Sequence, residues 1–178
     1  MRTLKSTLVN HLMTVSVAAV LAASAGAVLA APSSYDKEFM EKAADAGATE
    51  IDASKLAATN ASAPGIKGFA KEMVTDHTAV ANELKHLASS KKVTLSDKPN
   101  ADHQTEIDKL SGLKGDDFDK EYSNAIAVSA HKEAVLLFTN ATRKASDPDV
   151  KAFAVKTLPK LQLHLDMAME MHAKMANE

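Results

Sequence analysis

Tyr35-Asp-Lys-Glu-Phe39 returns later in the chain as Phe118-Asp-Lys-Glu-Tyr122, and Pro64-Gly-Ile-Lys-Gly-Phe-Ala70 returns, after nearly the same interval, as Pro148-Asp-Val-Lys-Ala-Phe-Ala154. Each copy opens a long stretch with helical periodicity, so the chain is predicted to form two helical hairpins built on one plan. Because one hairpin cannot bury its apolar faces alone, the two are expected to pack against each other. The repeat therefore predicts an all-α fold, a four-helix bundle made from two hairpins.

The start of the chain has the pattern of an export signal. Arg2 and Lys5 give a positive start, residues 12–29 carry no charge, and the small residue Ala30 before Ala31 fits a signal-peptidase site. The uncharged stretch is also long enough for an uncleaved membrane anchor, but its Ser, Gly and Ala content favours cleavage. We therefore expect a periplasmic or secreted protein with no membrane span after cleavage near Ala30/Ala31.

The composition of the expected mature domain, residues 31–178, excludes several classes of function. The chain has no cysteine, which rules out disulfides, thiolate metal sites and cysteine nucleophiles. The whole chain has a net charge of −2, and loss of residues 1–30 with their two basic side chains makes it more acidic. Nucleic-acid binding needs a clustered basic face, so we expect no nucleic-acid partner.

Helical periodicity and turn residues place the boundaries of the elements. The predicted helices cover residues 34–60, 64–90, 102–110, 116–145 and 148–176. Ser62 is predicted to cap the second helix, and Pro159 is expected to kink the last one. The link from 91 to 115 is long, and a crossover connection of this kind is typical of a ferritin-like bundle.

One polar residue on each long helix is predicted to lie near the middle of the bundle. Counted from the helix starts, these residues fall at similar depths: Glu50, His77, His131 and His164. A carboxylate and three imidazoles could bind a transition metal ion such as Zn, Fe, Cu or Mn. Three neighbouring acids are candidates for additional ligands or for acceptors that orient the imidazoles: Asp76, Glu133 and Asp166.

On the third long helix, periodicity does not decide which polar residue faces the core. His131 shares an apolar face with Phe138, whereas Glu133, the repeat counterpart of Glu50, lies near the face of Phe118 and Tyr122. Only one of His131 and Glu133 is expected to point at the bundle axis.

The polar residues allow interpretations other than a mononuclear metal site. A hydrogen-bonded pair between Glu50 and a histidine of another helix would satisfy both without metal. A diiron site of the bundle type requires Glu-x-x-His on two helices, but Val74 and Leu161 stand three residues before His77 and His164. A conventional diiron oxidase or ferroxidase is therefore not expected.

Methionines recur every fourth residue near the end of the last helix. Met167, Met171 and Met175 form this stripe, with Met169 and His172 nearby. Thioethers can bind Cu(I), but a stripe with this spacing more commonly fills the end of a core, which we favour. No Ser-His-Asp order or Gly-rich phosphate loop indicates an enzyme.

The chain resembles a family of exported bacterial proteins known as a domain of unknown function with a ferritin-like fold. Glu50 stands where that family carries a glutamate on its first helix. The other matching stretches are Phe69-Ala-Lys-Glu-Met-Val-Thr-Asp-His77 with Asn82 and Leu84, Ala130-His131 with Val135, Leu137-Phe138, Leu158-Pro-Lys-Leu161 and His164-Leu165. The resemblance implies export and a ferritin-like bundle, but it brings no activity.

Three hypotheses of function follow. The first is a non-enzymatic, stress-related or envelope-associated binding protein whose partner is an envelope protein or a small ligand. The second is a metal-binding protein that uses Glu50, His77, His131 and His164. The third is a bundle that presents an apolar groove to a partner or to lipid.

Overall fold

The computed structural model describes residues 31–176, and within them the chain is helical with no β-strand. The helices are α1 (Ser34–Asn60), α2 (Pro64–Ser90), α3 (Ala101–Ser111), α4 (Gly115–Glu121), α5 (His131–Lys144) and α6 (Pro148–Met175). A π-helical segment, Tyr122–Ala130, joins α4 to α5, so residues 115–144 form one continuous rod. The expected signal peptide, residues 1–30, lies outside the described residues.

The four long rods pack as two hairpins. α1 packs along α2, and α5 packs along α6; the hairpins meet where α1 contacts α5 and the π-helical segment, and where α6 contacts α2. The link after α2 carries α3, which packs on α1. No helix within residues 31–176 combines the length and the apolar character needed to cross a membrane.

Asp36 ties the start of α1 to the start of α6. Its carboxylate accepts hydrogen bonds from the backbone and hydroxyl of Ser33, which closes a capping box at the start of α1. It also accepts from the backbone N–H of Ser146 at 3.0 Å, the Ser146 hydroxyl at 2.7 Å and the backbone N–H of Asp147 at 3.2 Å. These two residues immediately precede Pro148, the first residue of α6.

Asp119, the counterpart of Asp36 in the repeat, makes the equivalent contact at the other end of the bundle. Its carboxylate accepts from the backbone and hydroxyl of Ser62 and, at 2.7 Å, from the backbone N–H of Ala63. Ser62 therefore does not cap α2 with its side chain, as the sequence had suggested; Ala63 is the N-cap residue, and the Ser62 hydroxyl donates to Asp119 instead. Each repeated aspartate thus joins its own hairpin to the turn of the other.

Two apolar clusters fill the interior of the bundle. One is built around the stacked rings of Phe118 and Tyr122 with Phe69 and Met73. The other contains three aromatic rings in mutual contact, with ring centroids 5.1 to 6.4 Å apart, and these belong to Phe39, Phe138 and Phe153. The core is therefore divided into two halves along the bundle axis.

The Asp36 contact makes a prediction for stability. Asp36 is fully buried, so replacement by Asn leaves several donors with a weaker acceptor and is expected to cost about 3 kcal/mol of unfolding free energy. Urea unfolding measures the loss. Glu38→Gln is the control, because Glu38 is exposed and pairs only across one helical turn with Lys42. Equal stability of the two variants would contradict the role given to Asp36.

The same carboxylate predicts a dependence of stability on pH. Burial alone would raise the pKa of Asp36, but the hydrogen bonds from Ser146 and Ser33 outweigh it, so the folded pKa lies below the ordinary value. A lowered folded pKa contributes stability above the unfolded pKa of about 3.9, and this contribution disappears as the pH falls through the folded value. Unfolding midpoints measured from pH 6 to pH 2 should therefore fall less steeply in Asp36→Asn than in the wild type.

Candidate metal centre

A polar layer separates the two apolar clusters. Along each long rod, residues of one cluster give way to residues of the other, and the change occurs at a polar residue. These four residues are buried, and they are Glu50 on α1, His77 on α2, His131 on α5 and His164 on α6. The sequence had placed the same four at similar depths, and the structure brings them together at one level.

The π-helical segment decides which residue of the third rod enters this layer. In an α-helix, positions 122 and 131 would lie on opposite faces, since nine residues at about 100° each end half a turn out of phase. In the wider π-helical turn nine residues complete about two turns, so Tyr122 and His131 are both fully buried. Glu133 is exposed in consequence. Of the two alternatives for this helix, His131 is the one that faces the interior.

The three histidines converge on one point. One nitrogen from each ring lies within 4.8 Å of the others, and Nε2 of His77 is 3.4 Å from Nε2 of His131. The ring centroids are 5.4 to 5.6 Å apart. His131 and His164 have exposures of 0% and 1%, and His77 has 5%, so the three rings are shielded from bulk solvent.

Glu50 contacts the side of His131 that faces away from His77. Its Oε1 lies 3.1 Å from Nδ1 of His131, and the carbonyl oxygen of Ile126 in the π-helical segment lies 3.4 Å from the same nitrogen. Burial alone would lower the pKa of His131, but the charge of Glu50 and this contact outweigh it, so the pKa is raised. Nδ1 is thereby engaged as a donor, and Nε2 faces the other histidines.

Asp76 orients His164 from the opposite side of the layer. Oδ2 of Asp76 lies 3.0 Å from Nε2 of His164, while Oδ1 lies 2.8 Å from Nζ of Lys160. Burial alone would raise the pKa of Asp76, but the contacts with Lys160 and His164 lower it by more. The pKa therefore lies below its ordinary value, and this carboxylate is charged near neutral pH. Nδ1 of His164 is buried and has no hydrogen-bond partner in the described part of the chain.

The environment keeps two of the three imidazoles neutral. Burial lowers the pKa of His77 to about 4, an effect that the charge of Glu50 only partly opposes. Burial also lowers the pKa of His164, and its hydrogen bond to Asp76 only partly restores it. A neutral imidazole offers a lone pair, so His77 and His164 are ready ligands near pH 7, whereas the raised pKa of His131 makes loss of its proton, and so metal binding, harder than for the other two.

Two of the acids named from the sequence lie elsewhere. Glu133 and Asp166 are exposed, and neither belongs to a group of converging potential ligands within residues 31–176. The physical reason is the same for both: each stands two residues after a buried histidine, which turns it about 200° around the helix. Glu133 instead lines a surface cleft of about 450 Å³ beside α3.

Sequence reasoning missed two side chains next to the layer. Lys160 pairs with Asp76, and the hydroxyl of Tyr122 shares a 2.7 Å hydrogen bond with Ser54, one turn after Glu50. Burial raises the pKa of Tyr122, so its hydroxyl stays protonated. Lys160 and His164 are four residues apart, so they lie on one face of α6. This spacing was the signal in the sequence from which Lys160 could have been predicted to lie near the layer.

The methionine stripe lies at the end of α6, beyond the layer. Met167, Met171 and Met175 are half-buried against the cluster that contains Phe69, and they line a groove of about 440 Å³ beside the start of α2. This packing is what the core interpretation of the stripe predicts.

The fold and the buried cluster define the class: an all-helical domain with three buried histidines whose nitrogens converge. The chain belongs to the family described as Domain of unknown function (DUF4142), whose profile matches residues 21–171. Its fold is similar to that of a solved structure described as CopM in the Cu(II)-bound form, with a TM-score of 0.65 and 17% sequence identity. That match covers 78% of this chain and 96% of CopM. No curated protein sequence matches this chain.

The contact between Glu50 and His131 makes a prediction for titration. In Glu50→Gln the pKa of His131 is expected to fall below 6.5, because burial remains while the charge that opposes it is lost. NMR of the imidazole nitrogens measures the shift, and His77 should stay neutral down to about pH 4 in the wild type. Glu133→Gln, the exposed counterpart in the repeat, is the control. An unchanged His131 titration in Glu50→Gln would show that Glu50 does not govern its charge.

Proposed function

We propose that this protein is a non-enzymatic, exported metal-binding protein that holds one divalent transition-metal ion with the imidazoles of His77, His131 and His164. The observation that carries the proposal is the convergence of three buried histidine nitrogens within 4.8 Å. Three protein nitrogens leave one or more coordination positions for a further ligand, as in zinc and copper sites of proteins. Glu50 and Asp76 would position His131 and His164, in the way that carboxylates orient metal-bound histidines.

The alternative is a layer held by hydrogen bonds alone, and two atoms argue against it. Oε2 of Glu50 and Nδ1 of His164 are buried without a hydrogen-bond partner in residues 31–176. An unsatisfied buried polar group costs about 1–3 kcal/mol, and a purely structural layer would be expected to avoid that cost. A metal ion bound to Nδ1 of His164 would supply the missing partner.

The donor set favours copper among the divalent ions. Imidazole suits Zn, Cu, Ni and Fe, and in the general order of affinities Cu(II) binds most tightly. The similarity to CopM supports the fold alone at this identity, but its Cu(II)-bound form makes Cu(II) the first ion to test. Ion binding in the cell envelope would agree with a stress-related role, such as buffering or carrying the ion.

We infer further that the architecture is a ferritin-like four-helix bundle. The start of α2 meets Asp119 at the start of the third rod, so these two rods run in the same direction and the link between them must cross the length of the bundle. A long crossover of this kind separates the ferritin-like bundle from the simple up-down-up-down bundle.

The metal site predicts an effect of ligand removal on affinity. Wild-type protein should bind about one equivalent of Cu(II), and an ion at 100 times its dissociation constant should stabilise the fold by about 2.7 kcal/mol. His164→Ala should abolish this stabilisation, because it removes one of three ligands. Glu50→Gln should weaken binding by about 10–100-fold, because it only releases the orientation of His131. Isothermal titration and thermal unfolding with and without chelator measure both effects.

His86→Ala is the control for this experiment, since His86 is exposed on α2 and lies outside the layer. Circular dichroism checks that His164→Ala remains helical, and His164→Gln provides a second variant of similar size. Equal binding by the wild type and by a folded His164 variant would refute the proposed site.

The proposed export predicts how the protein is processed. Expressed in a Gram-negative host, the chain should appear in the periplasmic fraction with Ala31 as its first residue, because the signal peptide would be removed at Ala30/Ala31. Intact mass spectrometry of that fraction measures the cleavage. A chain that keeps residues 1–30 and stays with the membrane would favour the anchor instead.

A further inference from the structure

A second group of potential ligands lies on the outer side of His164. Glu72 and Asp76 stand one turn apart on α2, and one oxygen of each lies within 4.8 Å of the other and of a nitrogen of His164. Glu72 is exposed, the Asp76 side chain is 20% exposed and the His164 side chain is 2% exposed. The three residues therefore form a compact group that reaches from the exposed Glu72 to the buried His164.

His164 belongs to both groups of ligands. Its Nε2 contacts Asp76 at 3.0 Å, whereas its Nδ1 is buried and has no partner among the described residues. A single imidazole can thus offer one nitrogen to the carboxylates and the other to His77 and His131. In this respect it differs from the other two histidines, which are not part of the outer group.

The ammonium group of Lys160 contacts one carboxylate of the outer group. Nζ of Lys160 lies 2.8 Å from Oδ1 of Asp76, and the Lys160 side chain is 47% exposed. The Asp76 carboxylate therefore already pairs with a positive charge, and the flexible ammonium of Lys160 can move into solvent when another cation replaces it. Carboxylate oxygens next to one imidazole are suitable ligands for a divalent ion that still carries part of its water shell.

We propose that Glu72, Asp76 and Nε2 of His164 form an entry site, at which a divalent metal ion binds first and displaces Lys160 before it passes to the three buried histidines. This inference rests on the proposed function, because the histidine layer is the destination of the ion. The transfer is an exchange of ligands at His164 and needs no redox step. The ion takes the place of the Nε2 proton that His164 shares with Asp76, and that proton leaves to solvent by way of the Asp76 carboxylate. Nε2 takes up a proton again when the ion moves to Nδ1. Glu72 collects the ion from solvent, and Lys160 competes with it for Asp76.

The test is the rate at which the purified protein takes up Cu(II), followed by stopped-flow absorbance. Glu72→Gln should slow uptake by about tenfold, since it removes a charge that concentrates the ion at the entry, and Lys160→Ala should accelerate it several-fold. Affinity at equilibrium, measured by competition with a chelator, should change much less than the rate in Glu72→Gln, because the three buried ligands remain.

The chain supplies matched controls for both changes. Glu83 on α2 and Lys156 on α6 form an exposed ion pair at 2.8 Å between the same two helices. Glu83→Gln and Lys156→Ala make the same changes in net charge outside the outer group, and each should leave the uptake rate within about twofold of wild type. A general effect of protein charge would alter the controls and the test variants alike.

A second measurement examines the outer group without the buried histidines. Mn(II), which prefers carboxylate ligands, should broaden the NMR signals of residues 72 and 76 in a folded His131→Ala variant, and Glu72→Gln in that background should abolish the broadening.

The outcomes separate this inference from the proposed function. Uptake that slows in Glu72→Gln and accelerates in Lys160→Ala, with unaffected controls, supports the entry site. If Glu72→Gln and Lys160→Ala take up Cu(II) at the same rate as the controls, or if Mn(II) broadens the same signals after Glu72→Gln, the entry site is refuted. The proposed histidine site is still supported in that case if Cu(II) binds. A wild-type protein that binds no Cu(II) overturns both.

Discussion

Two repeated aspartates hold the two hairpins of this bundle in alignment. Asp36 and Asp119 each accept hydrogen bonds from the turn of the opposite hairpin, one at each end of the bundle. Buried carboxylates tolerate few other arrangements, since a donor lost there cannot be replaced by water. The contacts fix how far each hairpin is shifted along the other, and that shift determines which residues share a level.

The polar layer follows from this alignment. Four buried polar side chains meet between two apolar clusters, where burial of a charge or of an unpaired imidazole costs free energy. The cost is partly offset by contacts across helices: Glu50 pairs with His131, and Asp76 shares a hydrogen bond with the neutral imidazole of His164. It is not fully offset, because the layer retains polar atoms without hydrogen bonds. These buried polar atoms without hydrogen-bond partners are the physical basis for proposing an ion there.

The π-helical segment links the fold to this site. It lets Phe118 and Tyr122 pack in one half of the core while His131 points into the polar layer and Phe138 packs in the other half, which an uninterrupted α-helix cannot do. It also places the Ile126 carbonyl oxygen beside Nδ1 of His131. The departure from regular helix therefore lies where the function is proposed, which is common for π-helical turns in proteins.

Local sequence patterns were sufficient to predict the helices and their pairing into hairpins. The predicted bounds of the long helices agree with the structure within a residue or two, because periodicity, prolines and turn residues are local signals. The depth of Glu50 and of the three histidines could also be counted along each helix. The choice of His131 over Glu133 could not be predicted from the sequence, since it depends on a change of helical pitch that packing imposes. The cross-hairpin role of Asp36 and the pairing of Lys160 with Asp76 could not be predicted either, because contacts between distant segments exist only once the hairpins are aligned. Local chemistry fixed the elements, and tertiary packing decided which of their polar residues meet.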